Sequence, residues 1–233
     1  MAIIKKLFSD AMHLFYPHHC AGCGSDLLSV NNMLCLRCIS NLPYTRYDTI
    51  ENNPIENIFT GRVNIIAATS LFYFAKGHLV QQLIHDFKYK GNKEIGEYLG
   101  GLIARSLMQS NRFSNIDYLV PLPLYADKEF KRGFNQAEII CNGMAESMQV
   151  PVLTKNVIRK RYTSTQTKKH RAQRWENVAG SFAVKDAPKL HGKNILLVDD
   201  VITTGATLEA CAQTILQVPG TSVSFATLAT ASK

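Results

Sequence analysis

The sequence predicts an α/β protein: a parallel sheet flanked by helices, with a small cysteine-bearing module ahead of it. Three observations predict it. Short apolar, β-branched runs alternate with helical stretches over most of the chain. One such run, Ile195-Leu-Leu-Val198, leads into two acids and a hydroxyl-rich turn before a helix, at the strand end where open α/β sheets place their ligands. Near the N-terminus two C-x2-C pairs stand close together.

Taken in order, Ile3, Ile4, Leu7, Phe8, Ala11, Leu14 and Phe15 recur at helical spacing and define an amphipathic helix. No continuous apolar stretch or small-residue cleavage site follows, so it reads as a docking helix and not a signal peptide. The cysteines follow, and then residues 44–57, rich in Asn and acids and containing Pro54, read as a linker. The expected domains are therefore 1–58 and 59–233. In the second, strands are expected over 65–74, 117–120, 152–154, 195–198 and 223–229. Helices are expected over 78–89, 95–109, 134–148 and 208–218. Cys141 and Cys211 fall on apolar positions of helices and read as core thiols.

At 233 residues the chain can hold one domain of about 170 residues and an appendage. No apolar run approaches the ~18 residues of a membrane span, and a cytoplasmic location is expected.

Cys20-Ala-Gly-Cys23 and Cys35-Leu-Arg-Cys38 are separated by eleven residues. Two such knuckles can set four thiolates tetrahedrally around one Zn²⁺. Disulfides are the competing use. Adjacent C-x2-C pairs without a signal peptide favour a reducing compartment and hence metal. With four ligands the site is closed, and its expected role is structural. His18 and His19 are rival ligands that two complete pairs make unnecessary.

The ligand loop is Asp199-Asp-Val-Ile-Thr203-Thr-Gly-Ala-Thr207. The amides and hydroxyls of Thr203, Thr204, Gly205, Ala206 and Thr207 can converge on a phosphate at the helix N-terminus. Asp199 and Asp200 would repel that phosphate. They suit vicinal hydroxyls, or the water shell of Mg²⁺. A sugar bearing a phosphate on one side and a diol on the other meets both demands. The competing explanation is a strand ending in a capped helix. A second loop, 121–136, carries Lys128, Lys131 and Arg132 ahead of Gly133-Phe-Asn-Gln136, which suits a pyrophosphate.

The net charge of +8 is concentrated. Arg159, Lys160, Arg161, Lys168, Lys169, Arg171 and Arg174 lie in a stretch without acids, flanked by Tyr162 and Trp175. Such a stretch is a solvated basic loop, a lid that closes over a diphosphate, or a track for a nucleic-acid backbone.

The 199–207 string resembles the phosphoribosyl-diphosphate (PRPP) loop of type I phosphoribosyltransferases. That resemblance gives the 5′-phosphate to 203–207 and the ribose 2′- and 3′-hydroxyls to Asp199 and Asp200. The ordered set of the two cysteine pairs, Phe87-Lys-Tyr-Lys-Gly-Asn92, Val120-Pro-Leu-Pro123, Arg132-Gly-Phe-Asn-Gln136 and Asn177-x-x-Gly180-Ser-Phe182 is similar to that of the ComF family of competence proteins. The resemblance implies a type I phosphoribosyltransferase fold joined to an N-terminal zinc finger, and a role in natural transformation, in handling incoming DNA. Two readings stay open. In one, the chain is an adaptor that binds PRPP or a ribonucleotide, and single-stranded DNA and DNA-uptake or recombination proteins. In the other it transfers phosphoribose from PRPP, with Mg²⁺, to an unknown acceptor, Arg171 and Arg174 stabilising the departing pyrophosphate.

Overall fold

The computed structural model describes residues 19–26, 32–75, 78–160 and 180–231. The expected N-terminal helix, and Arg171 and Arg174, lie outside the described residues. Four strands form one sheet: β1 (Ala68–Phe74), β2 (Tyr118–Pro121), β5 (Asn194–Ile202) and β6 (Ser222–Ala231), in the order β1-β6-β5-β2 and all parallel. Parallel pairing puts every strand's C-terminal end on one edge. Nearly continuous burial of β5 and β6 shows why these stretches read as unbroken apolar runs: both sheet faces are covered.

On one face lie α3 (Leu79–Tyr89), α4 (Lys93–Met108) and α6 (Gln136–Met148). Val80, Leu83, Ile84 and Phe87 of α3 share a core with Leu99, Ile103, Ile140 and Met144, and with Leu196 and Val198 of β5. On the other face α7 (Ala206–Ile215) packs Leu208, Cys211 and Ile215 against Ile195, Leu197 and Phe225. Cys141 and Cys211 are fully buried, and burial pushes both thiols well up.

Four features depart from expectation. Residues 44–57 are packed chain: beyond a first short helix, α1 (Leu36–Ser40), a 3-10 turn spans Tyr47–Thr49, and α2 covers Pro54–Asn57. Asn53 caps α2, accepting from Ile55 and Glu56, while its amide donates to the carbonyls of Tyr47, Ile50 and Ala68. The Asn and Pro that mark a linker are here a cap and its N1 proline. Val152 makes one bridge to Leu119 and no strand. A short helix, α5 (Ala126–Arg132), precedes the expected start of α6, which Asn135 caps. The basic segment rises from an antiparallel pair, β3 (Val157–Arg159) with β4 (Phe182–Val184).

Candidate functional site: the C-terminal sheet edge and the cysteine cluster

The two acids sit inside β5, because β6 continues alongside it as far as Ile202. Alternation along a strand sends neighbouring side chains to opposite faces. Asp200 falls on the α3 face, and Lys88 Nζ lies 2.7 Å from its Oδ2. Asp199 falls on the α7 face, where its Oδ1 accepts from the Asp200 amide at 2.8 Å. Burial, and then the charge of Asp200, push the Asp199 carboxyl up to about 8; the Asp200 amide, Lys88 and Arg159 oppose the shift.

The turn beyond them has the geometry that can hold an anion. Gly205 has φ +72°, and a Cβ there would stand 2.7 Å from the Phe59 ring, so both conformation and packing require glycine. Gly205 opens α7 without any side-chain cap, which leaves the first amides of Ala206 and Thr207 for a ligand. Thr203 and Thr204 are exposed and Thr207 is half-buried, so their hydroxyls can join. Arg62 steadies the turn: its guanidinium donates to the Thr204 carbonyl at 3.1 Å and pairs with Glu209 on α7.

The second loop lies over the same edge. The Leu122 amide donates to Val198, and Asn135 Nδ2 donates to the Leu122 carbonyl at 3.1 Å. Lys128 is exposed on α5, whereas Arg132 donates to Gln136 Oε1 at 2.7 Å. Arg159 lies 3.9 Å over the Tyr125 ring and 5.2 Å from that of Phe182. That sandwich pins the root of the basic segment to the loop after β2. Lys88 and Arg62 had no role in the sequence reading. Their partners are far away in the chain, and only the family motif around Phe87 drew attention to Lys88.

The sulfurs of Cys20, Cys23, Cys35 and Cys38 lie within 4.8 Å of one another and can hold a metal ion. Cys23 and Cys35 are 3.7 Å apart, the spacing of two thiolates on one tetrahedral ion. Amides of Gly22 and Cys35 donate to Cys20 Sγ at 3.4 and 3.2 Å. Burial works against ionising Cys20, but the backbone of Cys23, Cys35 and Gly22, with Cys38, outweighs it and holds its thiol below the usual value. Ser25 brings Cys23 down to about 6. Cys38 is in the same group, although burial and the neighbouring sulfurs lift it to about 12. The donor set fits a thiolate-bound ion. The cluster is seated on α3: a Cβ on Gly22 would meet Leu79 at 2.8 Å, and Gln82 Nε2 donates to the Ala21 carbonyl at 3.2 Å. No helix among the described residues is long and apolar enough to cross a membrane.

The Phosphoribosyl transferase domain family matches residues 131–233, which contain the acid pair, the cradle and β6. The chain is therefore an α/β protein with a phosphoribosyltransferase domain, carrying a four-cysteine cluster ahead of it. Among curated proteins it is 30% identical to DNA utilization protein YhgH of Escherichia coli, over 58% of this chain and 60% of that one. Its match spans 24% identity with Competence protein F of Haemophilus influenzae, over 83% of this chain and 89% of the relative. Competence protein ComFC of Bacillus subtilis is 26% identical over 89% of this chain and 82% of its own length. These similarities, with the phosphoribosyltransferase match, support a protein of the ComF type. It spans 60% of the length of the YhgH relatives it matches.

Proposed function

We propose that this chain handles incoming DNA during natural transformation through a phosphoribosyltransferase domain that binds PRPP or a ribonucleoside 5′-phosphate. The carrying observation is the uncapped start of α7 at Gly205, directly after Asp199 and Asp200 on one strand. In this reading Thr203, Thr204, Gly205, Ala206 and Thr207 hold the 5′-phosphate and the two acids face the ribose. Lys128 and Arg132 stand by for the diphosphate, Arg132 after leaving Gln136. Bound Mg²⁺ would neutralise diphosphate charge. The cysteine cluster holds Zn²⁺ as a structural ion in the 1–58 unit, whose residues 44–57 pack on the 59–233 domain.

Single-stranded DNA is the proposed macromolecular partner, alongside DNA-uptake or recombination proteins. Phe130 is 91% exposed on α5, between Lys128 and Lys131, and offers a stacking surface flanked by cations. Lys160, Arg161, Lys168 and Lys169 extend the positive surface in sequence. Calorimetry with PRPP and Mg²⁺, on the wild type and on Asp200→Ala, tests the ligand. Heat from the wild type alone supports the reading, and no heat at millimolar ligand ends it.

The pinned root of the basic segment favours a second reading, that the domain is an active transferase. The C1–oxygen bond of PRPP would break, pyrophosphate would leave with both electrons, and an acceptor would bond to C1. Arg171 and Arg174 would stabilise the leaving group. Pyrophosphate release in the presence of nucleobases separates this reading from binding alone.

A further inference from the structure

The Phe87-Lys-Tyr-Lys-Gly-Asn92 motif has no part in the site as proposed above, yet it ends at the acid pair. Phe87 is fully buried and its ring lies 5.8 Å from that of Phe134, which fixes the last turn of α3. Lys88, one residue on, is directed to β5. Its side chain is 17% exposed and that of Asp200 14%, so the 2.7 Å pair is largely withdrawn from water. Its neighbours are engaged elsewhere: Lys90 pairs with Asp86 at 2.9 Å, and Lys93 lies 5.3 Å over the Phe134 ring. Among the described residues Lys88 is the cation that forms a salt bridge to either acid.

A half-buried carboxylate paired in this way is held in one place, because leaving either charge alone is costly. A carboxylate accepts at both oxygens, so pairing through Oδ2 still leaves Asp200 able to receive a hydroxyl. We propose that Lys88 is a positioning residue of the sugar site, holding Asp200 where it distinguishes ribose from 2-deoxyribose. The inference rests on the reading that the acid pair faces a ribose diol. Without Lys88, Asp200 has no counterion beside Asp199. It turns to solvent, and the hydroxyl loses its fixed acceptor, while the phosphate cradle at Gly205 is untouched.

The test is calorimetric titration of ribose 5-phosphate, 2-deoxyribose 5-phosphate and PRPP with Mg²⁺ into the full chain. Wild type, Lys88→Met and Lys88→Arg are compared. The wild type should prefer ribose 5-phosphate by about tenfold or more, the worth of one charge-assisted hydrogen bond. Lys88→Met should bring the ratio close to one by weakening ribose 5-phosphate alone, and Lys88→Arg should restore part of it. An unchanged ratio in Lys88→Met overturns the inference. So does a loss confined to PRPP, which would assign Lys88 to the diphosphate. A wild type that binds none of the three ligands overturns the ribose reading itself. Should Lys88→Met not fold, Lys88→Gln replaces it, and failure of both assigns Lys88 to stability and removes the positioning role.

Discussion

The cysteine cluster and the C-terminal sheet edge are the two candidate ligand sites, and they are assembled in opposite ways. Four sulfurs that lie close in sequence converge within 4.8 Å, in a short segment that reaches the core through Leu34, Cys38 and Leu42. The sheet edge gathers Lys88 from α3, Tyr125 from the loop after β2, Arg159 from β3 and two acids from β5. It rests on a core that is complete on both faces of the sheet. A site of the first kind needs its ligand in order to fold, and a site of the second kind is already folded when its ligand arrives.

The largest effect expected from that contrast is at the metal. Structural zinc contributes about 10–16 kcal/mol in small cysteine-rich modules. Cys35→Ser should therefore lose the ion and open 19–42 to protease, while the sheet domain keeps its unfolding transition. Elemental analysis and limited proteolysis of one sample check both halves. A metal-free, protease-resistant cluster would make the two regions alike and break the comparison.

Next in size is the ligand's contribution to the sheet edge. At about a hundred times its dissociation constant, PRPP should raise stability by ~2.7 kcal/mol. For a chain of this length that is a shift of roughly 5–10 °C in Tm. Asp200→Ala and Thr204→Val should abolish the shift and leave the ligand-free transition cooperative. A ligand-free unfolding caused by Thr204→Val, an exposed position, would show the cradle to be structural instead.

The acid pair gives a smaller effect with a definite sign. Asp199 is lifted from 3.8 to about 8, so the folded state binds a proton that the unfolded state releases. Its contribution to stability is fully present below pH 4 and is lost as pH rises through about 8. Asn keeps the oxygen that accepts from the Asp200 amide and cannot ionise. Asp199→Asn should thus melt a few degrees above the wild type at pH 8, with the gap closing toward pH 4. A gap that is constant with pH would mean that Asp199 does not carry the proton.

What the sequence makes legible follows the same division. The cysteine cluster depends on local spacing, and 199–207 on a strand, two acids, a glycine and a helix in immediate succession, so both could be read directly. Lys88 could not, because its partner is on another element and helical periodicity marks only Phe87 beside it as buried. Arg62 was hidden for the same reason. The β3–β4 pair is three residues on each side, separated by the basic segment, too short for alternation to register. Residues 44–57 were misread because Asn53 and Pro54 mark loops in sequence, while in the fold they begin α2 against β1. Composition also gave no sign of a cavity of about 1190 Å³ on the opposite sheet edge, lined by Glu56, Arg112, Asn194 and Ser222. Two pairs of these groups are bonded across it: Arg112 to Glu56 at 2.5 Å, and Ser222 to Asn194 at 2.5 Å.

The smallest expected effect is on nucleic acid, at the sheet edge. Charge at the sheet edge and on the basic segment should attract single-stranded DNA with little sequence preference, and Phe130 should stack on a base. Binding driven by phosphates releases counterions, so affinity must fall steeply with salt. Each of Lys160→Ala, Lys168→Ala and Lys169→Ala should lower the log–log slope by about 0.7, the single-strand value. Phe130→Ala should weaken binding at every salt concentration and leave the slope unchanged, because stacking releases no counterion. Labelled oligonucleotide titrations at several salt concentrations, with and without PRPP, separate these contributions. If the lysines lie beside the diphosphate, PRPP should reduce DNA affinity and the slope together. Binding that ignores salt, or its absence in low salt, would assign the +8 charge to the diphosphate or to a protein partner.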